Sequence, residues 1–339
     1  MQVISALEYG QDLDTIDKIS MNQVLHVCDI LDREYFAKLF QKGTPYAVVS
    51  DSMTAPTYSE PVPFYGLPLY AEKSARNFNK VTTFDNNIST VNCFNFMINK
   101  KQINRYLCIK FVEYFKLADF DYTWSAVDQR FDMHNILVEL DGLGTQSPLN
   151  SDIRSFILAP IQLEKKFIDF NGGEATSTVG ISNFGGIYWP WQHGLNKLFL
   201  NSAISLITES LQYQKTAAFT EKTIFSVLGL NFPIWVGGGY NQAVEWNRIG
   251  FDVFDDIIDH SYQSYDTLIE RCYYAFANNL ELLTNKDKLI ELRLRNKDRL
   301  LKNRELLLQN QLGTFVDQEI SKYPLDIQSA MPEILKYFR

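Results

Sequence analysis

Between residues 203 and 254 short apolar runs alternate with helical stretches, and this limits the folds open to the chain more than any other feature. Ala203–Thr208 reads as a strand and Thr220–Leu230 as a helix. Phe232–Val236 reads as a strand ending in Gly237-Gly238-Gly239, Asn241–Ile249 as a helix and Gly250–Phe254 as a short strand. Strands joined through helices pair in parallel with right-handed crossovers, so the expected class is α/β with a parallel sheet.

Two other regions extend the pattern. Val91–Ile98 reads as an apolar strand, Asn99–Arg105 as a polar turn, and a helix follows to about Leu117, with Tyr106, Ile109, Val112 and Phe115 at helical spacing. Nearer the N-terminus, Gln2–Ala6 reads as a strand, Asn22–Gln41 as largely helical, and Tyr46–Ser50 as a buried strand ending in Asp51-Ser52. Such strand ends commonly hold ligands in α/β domains. Pro56, Pro61, Pro63 and Pro68 disfavour regular structure over residues 55–70 and point to a loop. A strand is expected at Phe156–Ala159. Beyond Ser264 the chain reads as helical, including a charged stretch, Asn285–Gln311, with one apolar edge.

A chain of 339 residues is long enough for two domains, each with its own core. The expected division is a first lobe at 1–87, a second, Rossmann-like lobe at 88–284 and C-terminal helices at 285–339. No apolar run approaches the roughly 18 residues of a membrane span, and the N-terminus has neither the basic flank nor the apolar core of a secretory signal. The expected location is a cytoplasm. Cys28, Cys93, Cys108 and Cys272 form no CxxC pair, and His26, His134, His193 and His260 show no metal-ligand spacing, so neither zinc nor cysteine-nucleophile chemistry is indicated. A net charge of −8 argues against a broad polyanion-binding surface, because phosphate-backbone affinity comes from clustered Lys and Arg.

The chemistry is read mainly from Ala218-Phe-Thr-Glu-Lys-Thr223, which lies after a strand and opens a helix. A helix N-terminus presents unpaired N–H groups and a partial positive charge, which suits a diphosphate. Lys222 adds a full charge, Thr220 and Thr223 add hydroxyls, and Glu221 is suited to accept from ribose or sugar hydroxyls. The competing account is a helix capped by Thr220 for stability alone. Lys222 is expected to be exposed and of little weight in the fold.

Several segments together carry a resemblance: Ile204-Ser-Leu-Ile-Thr-Glu209, Phe219-Thr-Glu-Lys-Thr223, Pro233-Ile-Trp-Val-Gly237, Arg248-Ile-Gly-Phe-Asp-Val-Phe254 and Ile258-Asp-His-Ser-Tyr262. They resemble a family of phage and bacterial glycosyltransferase-like proteins that have a Thr-Glu-Lys-Thr helix start and are related to the donor domain of α-1,3-fucosyltransferases. The resemblance implies two Rossmann-like lobes of the GT-B type, an N-terminal acceptor lobe and a donor lobe that takes a nucleoside diphosphate sugar as co-substrate. It places Glu221 on the sugar or ribose and Lys222 on the diphosphate, and brings Glu209 and Tyr262 into the donor site. Upstream, Ile98-Asn-Lys-Lys-Gln-Ile-Asn-Arg105 is similar to the family's strand followed by an Asn-Arg-rich turn. Asn99 and Arg105 are thereby further donor-site candidates, Arg105 having a fork suited to two phosphate oxygens. The chain departs from the family at His260, where the family has Glu, and at Gln263, where it often has Asp. The resemblance runs unevenly over residues 92–262.

Asp12-Leu-Asp14 and Asp119-Phe-Asp121 have the Asp-x-Asp form that metal-dependent transferases use, but neither lies at a legible strand end, so no metal site is assigned. Gly237 and Gly238 would let backbone approach a ligand, and Trp189 and Trp191 are either packing residues or sugar platforms. A general base must reach the acceptor hydroxyl directly. Glu60, in Tyr58-Ser-Glu-Pro61, is similar to a glutamate before Ser-Pro in the fucosyltransferases, and Asp51 competes with it. The expected activity is therefore metal-independent sugar transfer, without a bound cofactor, to an acceptor glycan or small molecule. DNA carrying a hydroxylated base is an alternative acceptor, with the host cytoplasm as location if the chain is phage-encoded, and a non-catalytic nucleotide-sugar-binding protein is the other alternative.

Overall fold

The computed structural model describes residues 2–6, 18–27, 39–53, 62–78, 84, 86, 88, 90–98, 102–124, 133–143, 149, 151–164, 169–170, 173–174, 191, 195–209, 217–237, 239, 241–336 and 338. Two four-stranded parallel sheets form a mixed α/β architecture with a helical C-terminal region.

The first sheet consists of β1 (Gln2–Ala6), β2 (Gln23–Val27), β3 (Ala47–Ser50) and β4 (Phe64–Gly66), paired in sequence order, and is followed by α1 (Leu69–Arg76). Val24, Leu25 and Val27 are all fully buried. Residues covered on both faces belong to a parallel strand rather than to an amphipathic helix. That corrects the helical reading over Gln23–Val27; residues 39–41 are helical, and residues 28–38 of the expected stretch lie outside the described residues. β4 likewise replaces part of the expected loop, because Pro63 needs no N–H to offer its carbonyl to Val48 at 2.9 Å.

The second sheet is built from β5 (Asn92–Ile98), α2 (Ile103–Tyr114) and β6 (Phe120–Trp124), followed by α3 (Met133–Gly142), α4 (Ser151–Leu158) and a small hairpin of β7 (Asp169–Phe170) and β8 (Gly173–Glu174). The chain returns through α5 (Asn196–Leu200) to β9 (Ser202–Ile207), α6 (Glu221–Leu228), β10 (Phe232–Trp235) and α7 (Gln242–Ile249). The strand order is β10-β9-β5-β6, all parallel. Phe94, Phe96, Ile98, Ile204, Leu206, Phe232 and Ile234 enter one core with α2, whereas Met97, Ile207 and Trp235 enter another with α5 and α6. α2 and α6 therefore lie on opposite faces of the sheet.

Two expected strands are absent. Residues 151–158 form α4, where Ile153 and Ile157 are buried one turn apart and the Tyr106 hydroxyl donates to Ile157 O at 2.5 Å. Residues 250–254 are irregular. The side chain of Asn303 accepts from Asp252 N–H at 2.9 Å and donates to Asp252 O at 2.7 Å, taking the groups a strand neighbour would need. Gly250 (φ 111°) and Phe254 (φ 58°) also leave the extended region.

After a 3₁₀ turn, Ser261–Ser264, six helices follow: α8 (Leu268–Ala277), α9 (Leu280–Thr284), α10 (Lys286–Arg295), α11 (Lys297–Leu308), α12 (Gln311–Ser321) and α13 (Leu325–Leu335). Leu289, Leu292 and Leu300 pack into the second sheet's core. Val316, Ile327, Ala330, Met331, Ile334 and Phe338 instead cover a face of the first sheet, against Val24, Ala47, Val49, Leu67 and Leu69. None of the described helices is long and apolar enough to cross a membrane.

Candidate functional site

The order of the second sheet reverses between β5 and β9. β6 was added on one side of β5, β9 and β10 on the other, and the helices leaving β5 and β9 diverge to opposite faces. At such a reversal the strand ends open a crevice in which α/β proteins bind ligands. Asn104 and Arg105 come to it from the start of α2, Thr208 and Glu209 from just beyond β9, Thr220–Thr223 from the start of α6, and Gly237 from just beyond β10. Most of the residues singled out from the sequence thus converge on one sheet edge.

Their interactions refine the expected roles. Thr220 is the N-cap of α6, in extended conformation, and accepts from Lys222 N–H at 3.4 Å. The carboxylate of Glu209, fully buried, accepts from Thr220 N–H at 2.9 Å, from the Thr220 hydroxyl and from the Thr223 hydroxyl at 2.6 Å. Thr223 Oγ1 in turn accepts from Trp235 Nε1 at 3.0 Å. Glu209 therefore acts as an internal anion at the start of α6, and both threonine hydroxyls are engaged inside the protein. Burial raises the Glu209 carboxyl above its ordinary value and nearby Glu221 adds to the rise, while Lys222 and the two threonine hydroxyls oppose it.

Lys222 is 5% exposed, not the exposed residue the first turn suggested, and its ammonium lies 2.9 Å from Glu221 Oε1 and 3.3 Å from Thr220 Oγ1. Burial pushes the Glu221 carboxyl upward, but Lys222, with help from Arg105, outweighs it and leaves the group below its usual value. Arg105 is 1% exposed and donates from Nε to Thr208 O at 3.4 Å. Asn104 Nδ2 donates to Glu209 O at 2.9 Å, and the Thr208 hydroxyl to Met97 O at 3.2 Å, so the ends of β5 and β9 are fastened beneath the charged groups.

From the first sheet, Asp51 and Ser52 follow β3 and are buried, and Ser52 forms an antiparallel bridge with Ala218, two residues before the Thr220 cap. Asp51 is thereby placed beside the segment that enters α6.

Other candidates are parts of the core. Tyr262 is fully buried, its hydroxyl contacts the Trp235 backbone, and burial holds its pKa well above the ordinary value. Gly237 has φ 69°, and a Cβ there would come within 2.7 Å of Cys272 Sγ and 2.8 Å of Leu268, so its glycine is required by packing against α8. His260 contacts Val253 O at 3.0 Å, and Gln263 Oε1 accepts from Ala243 N–H at 2.9 Å at the start of α7. Trp191 stacks on Phe225 at 5.6 Å and meets Phe78 edge-on at 6.0 Å, a packing role on the flank of α6. Asp119 and Asp121 lie at the start of β6, the sheet edge opposite the crevice, where Asp119 is 3.5 Å from Lys286. Among the described residues no group of three or more His, Cys, Asp or Glu is placed to hold a metal ion. Glu60, Asn99, Gly238, Trp189, Asp12 and Asp14 lie outside the described residues.

Sequence reading missed Thr208, Asn104 and Gln242. The first two are polar residues at a strand end and a helix start, a signal that was present; Gln242 resembles any surface glutamine, yet is fully buried. No protein-family model, curated protein or solved structure matches the chain.

Proposed function

We propose that this protein is a metal-independent glycosyltransferase of the two-lobed, GT-B-like kind, binding a nucleoside diphosphate sugar in the crevice between β5 and β9. One observation carries the reading. Two buried cations, Arg105 and Lys222, occupy the first turns of the two helices that diverge at the strand-order reversal. A cation at a helix N-terminus opposes the helix dipole, and burying it adds a desolvation cost. Inside the protein Glu221 answers part of this charge, being paired with Lys222 and within the field of Arg105, and two cations gathered at helix starts are an arrangement that suits a multiply charged anion such as a diphosphate. The departing diphosphate is the group they would stabilise, while Glu221 accepts hydroxyls of ribose or sugar. Asp51, across the Ser52–Ala218 bridge, takes the role of base toward the acceptor hydroxyl.

A titration of the intact chain with GDP, UDP, ADP and CDP and their sugars, in EDTA, tests the donor site. Binding should raise the melting temperature by the equivalent of about 2.7 kcal/mol at a hundredfold excess over Kd. No shift with any of them at millimolar concentration sinks the reading, and a shift that needs added Mn²⁺ removes its metal independence. The engagement of Glu209 with Thr220 and Thr223, which ties up both hydroxyls inside the protein, favours a second reading: a nucleotide-sugar-binding protein without transfer. Binding without turnover against glycan, small-molecule or DNA acceptors would decide for it. A DNA acceptor would also require binding that weakens steeply with salt.

A further inference from the structure

The segment that enters α6 is held from two sides. Met53 N–H donates to Ala217 O at 2.7 Å and the Ser52 hydroxyl to the same carbonyl at 3.4 Å, next to the Ser52–Ala218 bridge. From the opposite side Gln242, fully buried at the start of α7, donates to Ala218 O at 2.6 Å and accepts from Gly239 N–H at 3.0 Å. Ser52 is itself backed by β4, where a Cβ on Gly66 would lie 2.2 Å from Ser52 O. Thr220, two residues beyond Ala218, is fastened to Glu209. The ends of β3, β9 and β10 are thus tied through one short stretch, Ala217–Thr220, that runs directly into Glu221 and Lys222.

We infer that the end of β3 and the start of α6 form one cooperative unit, so that a nucleoside diphosphate bound at Arg105 and Lys222 also tightens Asp51–Met53 in the first lobe. This rests on the reading of those two cations as diphosphate ligands. A ligand that binds only the intact local structure suppresses every opening that destroys its site, by the factor 1 + [L]/Kd. The Met53 amide exchanges with solvent when its bond to Ala217 opens. If that opening also releases the Thr220 cap and the first turn of α6, ligand slows exchange at Met53 by the same factor as at Lys222. If the two open separately, only Lys222 responds. Coupling of this kind is reciprocal, so loosening the first-lobe side weakens nucleotide binding.

The test is residue-resolved amide exchange on the full chain with and without GDP, and separately UDP, at about a hundred times the Kd found by calorimetry. The expected result is slowing of about a hundredfold at both the Met53 and Lys222 amides. In Gln242→Met, which removes the ties to Ala218 and Gly239, the slowing at Met53 should fall at least tenfold below that at Lys222. Nucleotide binding that slows Lys222 but leaves Met53 unchanged in the native chain overturns the coupling, while the diphosphate reading stands. Equal slowing of the two amides in Gln242→Met overturns the route through that side chain. Should neither nucleotide bind, the diphosphate reading fails and the coupling falls with it. The native chain decides on its own if the variant does not fold.

Discussion

At the scale of single residues, the two halves of the Lys222–Glu221 pair cannot be judged separately. Both are buried, so Lys222→Ala leaves a carboxylate without its cation and should cost about 3 kcal/mol, quite apart from any ligand. Lys222→Met combined with Glu221→Gln removes both charges and should recover most of that stability while leaving nucleoside diphosphate binding lost. Melting curves and calorimetry on the two variants separate the contributions; recovery of binding in the double variant would place the diphosphate elsewhere. His26 is a second residue with a clear expectation. It is fully buried in β2, 5.4 Å from the Phe338 ring, and burial lowers its pKa from 6.5 to about 4. The unfolded chain takes up the proton near pH 6.5 and the folded chain resists it down to about 4. The neutral imidazole's stability is therefore fully present above about pH 6.5 and lost as pH falls toward 4, up to about 3 kcal/mol. His26→Leu should flatten that part of the melting profile relative to the native chain, and an unchanged slope would remove His26 as its cause.

Among the elements, the lower ends of α5 and α6 depend on one side chain from α10. Arg293, fully buried, donates to Leu200 O at 3.1 Å, Gly229 O at 2.8 Å and Leu230 O at 3.1 Å, carbonyls at or just past the ends of those helices, and to Thr90 Oγ1 at 3.3 Å. Burial lowers its pKa to about 10, and the negative ends of two helix dipoles favour its charge. Arg293→Met should cost about 3 kcal/mol by stranding several carbonyls, and Arg293→Lys should recover little because one ammonium cannot follow the planar fork. A fall in the urea midpoint at constant m-value is the expected measurement, and a midpoint within experimental error of the native one would show the clamp to be dispensable. Residue patterns already mark β5, β9 and β10 of the second sheet, since their apolar runs alternate with helical stretches; they do not mark β6, where Asp121 and Thr123 interrupt the apolar run. Phe156–Ala159 reads as a strand although Ser151–Leu158 is helical, because four apolar positions fit a strand as well as one helical turn, and the deciding partner, Tyr106, is remote in sequence. Patterns also locate the α6 start and Asp51 after β3, whereas Glu209 and Arg105 enter through the resemblance and Thr208 is not singled out. The patterns do not show that Lys222 is buried, that Glu209 binds Thr220 and Thr223 or that Gln242 joins two loops, because each depends on which segments meet in space.

For the whole molecule, each sheet has an interior of its own, and a further core is shared between them. Met53, Ala71, Ala75 and Phe78 from the first lobe share a core with Ile224, Phe225 and Leu228 of α6 and with Leu307, Leu312 and Phe315 of the C-terminal helices. The chain should consequently unfold in one calorimetric transition with equal calorimetric and van't Hoff enthalpies, despite a length at which two domains often melt apart. Two separated transitions would show that the lobes are stable independently. The covering of the first sheet by residues 316–338 has a further consequence during synthesis. Once Leu67 has been added, a ribosome working at about 5–20 residues per second needs about 15–50 seconds more to deliver those residues. Throughout that interval Val24, Ala47 and Val49 lack the helices that cover them, so a nascent chain of this sequence offers chaperones an apolar sheet face that the finished protein no longer shows.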